Sequence, residues 1–75
     1  MNEAKHLDTS GLRCPEPVML LHKIVREVQS GDIIKVTATD PSTERDIPKF
    51  CRFLGHELIK TAQEDTLYFY WIQKK

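Results

Sequence analysis

Two prolines, Pro15 and Pro17, stand in front of an apolar run at helical spacing. Val18, Leu21, Val25 and Val28 recur at steps of three and four, and Leu20 and Ile24 widen the stripe. Proline is tolerated in a helix only in the first turn, where the missing N–H had no intrahelical carbonyl. The helix must therefore begin at this pair, and the spacing predicts a helix over 15–29. Cys14 immediately precedes it, so it is expected at the N-cap, with Pro15, Glu16 and Pro17 at N1 to N3. Ser30-Gly31 is expected to end the helix, with Gly31 as a left-handed cap.

The rest of the chain alternates between two periods. Residues 5–9 (KHLDT) read as a short strand with Leu7 and Thr9 on one face. Residues 33–38 (IIKVTA) place Ile34, Val36 and Ala38 on one face, and Asp40-Pro41 stops that strand. Ile47, Phe50, Cys51 and Leu54 form a second helical stripe, which Pro48 interrupts. The expected resolution is a short turn over 42–45, then a helix capped by Asp46 with Pro48 in its first turn. Gly55 closes it. Residues 57–62 and 67–73 alternate as strands joined by a tight loop over Gln63 to Thr66, with one of Tyr70 and Trp71 facing the core and the other solvent. The order is β-α-β-α-β-β.

With 75 residues the chain forms one domain over 1–75, burying about 60–65% of its unfolded surface. Two helices cannot cover both faces of four strands. The expected class is α+β: a two-layer α/β sandwich whose mixed four-stranded sheet carries two helices on one face. Right-handed crossovers make each strand–helix–strand pair parallel, and the final hairpin is antiparallel.

Lys plus Arg equals Asp plus Glu at 11 each, so the formal net charge is zero. That argues against direct nucleic-acid binding by overall charge. The start, MNEAKHLD, lacks the pattern of a secretory signal, and no stretch approaches the ~20 apolar residues of a membrane span. A soluble, cytoplasmic protein without membrane contact is expected, monomeric by default. Cys14 and Cys51 form no C-x-x-C and no zinc spacing with His6, His22 or His56, so two reduced thiols and neither metal nor cofactor are expected.

Cys14 has the setting of a reactive sulfur. A helix N-terminus favours thiolate over thiol. The N–H of Glu16, between two prolines that have none, could point at the sulfur, and Arg13 adds positive charge. The Glu16 carboxylate competes for the same positive helix end. No resolving cysteine lies within a turn and no histidine is adjacent in sequence. Such a sulfur suits accepting a group covalently and passing it on. The alternatives are a small interaction or regulatory domain in which Cys14 is only a helix cap, and a one-cysteine redox enzyme of peroxidase type. Cys51, on an apolar stripe, reads as a buried small hydrophobe. Met19, Arg26 and Phe53 are candidate partner contacts, Lys23 reads as solvated, and Asp40 as a turn cap.

The residues G-L-R-C-P-E-P at 11–17 and D-P-S-T-E-R-D-I-P-K-F-C at 40–51 resemble the two signature stretches of the TusA family of sulfur carrier proteins (SirA-like, with a C-P-x-P motif). The resemblance runs from about Leu7 to the last strand. It implies a two-layer sandwich with both helices on one side and a persulfide carried on Cys14. It implies a carrier without independent turnover chemistry. It implies a cysteine desulfurase as sulfur donor and relay proteins such as a TusBCD-like complex as acceptors. In the best-known pathway the sulfur ends in 2-thiouridine at the tRNA wobble position; relatives serve other sulfur routes.

Overall fold

The computed structural model describes residues 3–75. Its elements are β1 (Lys5–Thr9), α1 (Glu16–Val25), β2 (Ile33–Ala38), α2 (Thr43–Leu54), β3 (Glu57–Glu64) and β4 (Leu67–Gln73). They form one four-stranded sheet in the order β1-β2-β4-β3. β1 and β2 are parallel, and β4 runs antiparallel to both β2 and β3. β2 and β3 are therefore parallel in direction, as two right-handed crossovers require, with the returning hairpin strand inserted between them. Both helices pack on one face, giving the two-layer α+β sandwich with its mixed sheet.

Alternation decides which sheet residues enter the core. Thr9, Ile34, Val36, Ala38, Tyr70 and Ile72 are buried on the helix side. The helices meet them with Leu21, Val25, Ile47, Phe50 and Cys51. Tyr70 is the core-facing member of the Tyr70–Trp71 pair. Val18 and Leu54, the outer ends of the two helical stripes, emerge from the core partly exposed.

Three local expectations are corrected. The first helix ends at Val25, short of residue 29. Its last N–H groups bond three residues back, Arg26 to Lys23 and Glu27 to Ile24, so the chain tightens into a turn that still buries Val28. Gly31 has the expected positive φ of 90° but sits in the loop before β2.

The second helix begins at Thr43, before Asp46, and Pro48 lies inside it. Pro48 removes the N–H that would reach the Glu44 carbonyl. Tertiary bonds hold the first turn in spite of that loss. The buried Thr43 hydroxyl donates to the Asp40 carbonyl at 2.7 Å and meets the Tyr70 hydroxyl at 2.9 Å. With the threonine proton committed to Asp40, Tyr70 is the donor of the second bond. Gly55 closes α2 in the left-handed region, with φ 81°.

The third correction concerns the start of α1. The N-cap is Pro15, at φ −97° and ψ 12°, so Glu16 and Pro17 take N1 and N2. The Cys14–Pro15 peptide is cis. Pro17 is buried and Pro15 exposed. No helix among the described residues is long and apolar enough to cross a membrane.

Candidate functional site

Adjacent parallel strands bring their following loops to the same end of a sheet. Here β1 and β2 each feed a helix, so the β1–α1 loop with Cys14 lies against the β2–α2 loop with Asp40. Side chains of the second loop stitch the two together. Thr39 Oγ1 accepts the Gly11 N–H at 2.9 Å, and Asp40 Oδ2 accepts the Cys14 N–H at 2.7 Å. The same carboxylate accepts the Ser42 N–H at 3.0 Å and the Ser42 hydroxyl at 2.8 Å. Asp40 thus caps its own turn, as expected, and also fixes the backbone that carries the cysteine. The Ser42 N–H first, then that of Cys14, hold its carboxyl below the ordinary carboxylate value.

The Cys14 side chain is exposed. Its immediate partner is Asp46, one turn into α2. Hydrogen bonding of the thiol to the Asp46 carboxylate, followed by partial desolvation and the negative charge of Asp46, pushes the thiol above its ordinary pKa. The Ser42 hydroxyl and the charge of Arg45 act in the opposite direction. Asp46 shows the reciprocal shift downward, from the Cys14 bond first and then from Arg45, whose Nε lies 3.0 Å from Oδ1.

The effect of Asp46 runs against the expectation of a thiol tipped toward thiolate by its helix. The Glu16 N–H is not aimed at sulfur: it donates to the Arg13 carbonyl at 2.8 Å. Arg13 places its charge near Asp40, and the cation acting on Cys14 is Arg45. Asp46 thus favours the protonated form of the thiol over the thiolate.

Beside the sulfur, α1 and α2 diverge and leave a groove of about 370 Å³. Cys14 and Asp46 stand at one end, and the walls are Pro15, Val18, Phe50, Phe53 and Leu54, with His22 and Lys49 as polar members. Val18 and Leu54 line this groove as the exposed ends of the core stripes. His22 packs edge-on against Phe50, with ring centroids 4.6 Å apart. Phe53 is 86% exposed and Met19 61% exposed, so both offer apolar surface. Phe53 lines the groove, whereas Met19 points about 100° round α1 from Val18. Arg26, at the C-cap, is separated from Cys14 by the ~15 Å length of the helix. His6 sits with Glu3, at 3.3 Å, and does not line the groove.

The structure therefore brings Cys14, Pro15 and Phe53 together and leaves Arg26 apart. Asp46, Ser42, Arg45 and His22 were missed as site residues. For Ser42, Arg45 and Asp46 the signal was topological: the D-P-S-T-E-R-D stretch follows a strand parallel to the one that precedes Cys14, whereas His22 joins the site from α1 itself. Cys51 is buried at 2% exposure on the core side of α2. Burial alone pushes its thiol up to about 11.

Comparison with known proteins agrees with this geometry. A family model described as sulfurtransferase TusA matches residues 5–74. A protein of Pseudomonas entomophila named sulfur carrier protein TusA is 65% identical over 69 residues, covering 92% of this chain and 86% of that protein. Its namesake in Pseudomonas aeruginosa is 62% identical over 69 residues, covering 92% of this chain and 87% of its own. The crystal structure of a SirA-like protein from Desulfitobacterium hafniense superposes with a TM-score of 0.82 at 20% identity, covering 92% of this chain and 95% of that one. That structure has the same fold. With the family match spanning all six elements, the chain belongs to the TusA family.

Proposed function

We propose that this chain is a sulfur carrier in which Cys14 holds a sulfane sulfur as a persulfide. One observation carries the reading: an exposed sulfur, its backbone clamped by Asp40, stands at the mouth of an apolar groove. A partner protein can bury apolar side chains in the groove while its own sulfur meets Cys14. The donor is the persulfide of a cysteine desulfurase. Loss of the Cys14 proton yields the thiolate, which attacks the outer sulfur of the donor. A new S–S bond forms on Cys14 as the donor S–S bond breaks, and the donor cysteine leaves as a thiolate that can take up the proton Cys14 released. An acceptor thiolate then attacks the outer sulfur on Cys14 and regenerates it. A TusBCD-like relay toward wobble-uridine 2-thiolation is the acceptor route we propose, in the cytoplasm and without turnover chemistry of the carrier's own.

The geometry weighs against both alternatives. Pro15 occupies the cap, with no side-chain capping bond, so Cys14 is not retained as a helix cap. A peroxidase-type cysteine depends on thiolate at rest, and Asp46 opposes that. Incubation with a cysteine desulfurase and cysteine is expected to add ~32 Da, one sulfur atom, reversed by reductant. Cys14→Ser should show no gain. A wild-type protein that stays unmodified under conditions that load another carrier overturns the proposal.

A further inference from the structure

The sheet face turned away from the helices carries a cluster that sulfur transfer does not use. Phe69 and Trp71 lie two residues apart on β4, so both project from this face. β4 is an interior strand, which sets the rings mid-sheet. Their centroids are 6.3 Å apart with planes inclined by 39°, and both side chains are partly exposed. The register places Lys35 of β2 and Lys60 of β3 on either side of Trp71. Lys35 Nζ lies 5.1 Å from the Phe69 centroid and 5.3 Å from that of Trp71; Lys60 Nζ lies 4.9 Å from the Trp71 centroid. His6 extends the row opposite Lys35. The four positions of this row, His6, Lys35, Trp71 and Lys60, supply the cations of the face, although the Glu3 carboxylate lies 3.3 Å from His6 and the rows toward the sheet ends carry Glu57 and Glu64. Asp8, in the neighbouring row, directs Oδ1 to the Ser10 N–H at 2.9 Å.

We propose that this open face binds single-stranded nucleic acid, with unpaired bases stacking on Phe69 and Trp71 and phosphates held by Lys35 and Lys60. Two flat apolar rings flanked by cations complement a ligand that alternates flat rings with anions. A duplex hides its base faces and offers only phosphate, for which two lysines are too few. The chain's zero net charge removes long-range attraction, so the local row must supply the charge and the affinity is modest. The site lies on the opposite layer from Cys14, so a strand bound there leaves the groove between the helices free.

Trp71 is the only tryptophan in the chain, so its fluorescence reads the site directly. Titration with a short oligouridylate is expected to quench it saturably. Affinity should fall with log salt at a slope of about −1.4, the release expected from two phosphates. Phe69→Leu should weaken binding about tenfold through lost stacking. Lys35→Glu and Lys60→Glu should each weaken it by more than that and flatten the salt slope, with unchanged circular dichroism. Cys14→Ser should bind the oligonucleotide as wild type does, so failure of the sulfur-carrier reading leaves this result standing. Absence of quenching overturns the proposal, as does equal binding of duplex RNA of the same length. Quenching by phosphatidylserine vesicles but not by oligouridylate overturns it in favour of an anionic membrane surface.

Discussion

Cys14 and Cys51 are the same side chain in two environments, and both thiols are shifted upward for different reasons. At Cys14 the cause is a neighbour: the Asp46 carboxylate, whose hydrogen-bonding capacity and negative charge favour the protonated thiol. At Cys51 it is burial, among Ile47, Phe50 and the sheet. A shift caused by a neighbour can be undone by another protein that engages the carboxylate or brings a cation. A shift caused by burial can be undone only by unfolding. The first sulfur is reachable and tunable, the second inert. Ways to break this contrast range from a large kinetic difference to a small thermodynamic one.

The largest effect is in alkylation. Cys14 should react with iodoacetamide from the folded state, whereas Cys51 should wait for opening of α2. At a stability of about 5 kcal/mol, Cys51 modification should be at least ~1,000-fold slower. Peptide mapping over time measures both rates in one sample. Comparable rates would show that α2 opens locally and that Cys51 is within reach of solvent.

Next is replacement by serine. Cys51→Ser puts a hydroxyl where the core supplies no designed partner, at a cost of about 2 kcal/mol, or roughly 10 °C in Tm for a domain of this size. Cys14→Ser should leave Tm where it was, because the side chain is exposed. Sulfur loading should follow the opposite pattern, surviving in Cys51→Ser and vanishing in Cys14→Ser. A Cys51→Ser protein that keeps its fold but fails to load would make the buried sulfur a participant.

A smaller effect isolates the neighbour. Asp46→Asn removes the charge that opposes thiolate at Cys14 while keeping the size of the side chain. The pH midpoint of Cys14 alkylation should move down, with Cys51 protection unchanged. An unmoved or raised midpoint would show that Asp46 does not set the resting state of the sulfur.

The contrast between the cysteines also shows where sequence reasoning holds. Cys51 was legible as core because its stripe partners Ile47 and Phe50 recur at helical spacing. Alternation likewise identified Ile34, Val36 and Ala38, since period-two patterning reports burial directly. Cys14 was legible through Pro15 and Pro17, whose place in a helix is sterically restricted. What periodicity does not encode is adjacency across the fold. The insertion of β4 between β2 and β3 was not specified, because alternation states which residues face inward and not which edges pair. The start of α2 was misplaced because the rule for Pro48 is local, whereas the Thr43–Tyr70 and Thr43–Asp40 bonds that overrule it are not. Asp40 and Asp46 became site residues only once β1 and β2 lay parallel and side by side.

The smallest effect lies where α2 gives way to β3. His56 Nδ1 accepts the Lys75 N–H at 3.0 Å, and its ring lies 5.7 Å from Phe50, the residue beside Cys51 that also walls the groove. Burial first, then the charges of Lys74, Lys75 and His22, hold the His56 pKa below its ordinary value. The native state therefore binds fewer protons than the unfolded chain once pH falls into the range where free histidine titrates. The His56 contribution is complete above the unfolded pKa, near 6.5. It is lost as pH drops below that value and through the folded one. Protonation also removes the lone pair that receives the Lys75 N–H. The wild-type Tm should fall more between pH 7.5 and pH 5.5 than that of His56→Gln, which retains an acceptor but no titratable group; that interval brackets roughly one unit either side of the free histidine value. Parallel Tm profiles for the two proteins would remove His56 from the balance. They would leave the Phe50 wall, and with it the separation of the reachable sulfur from the buried one, independent of pH in that range.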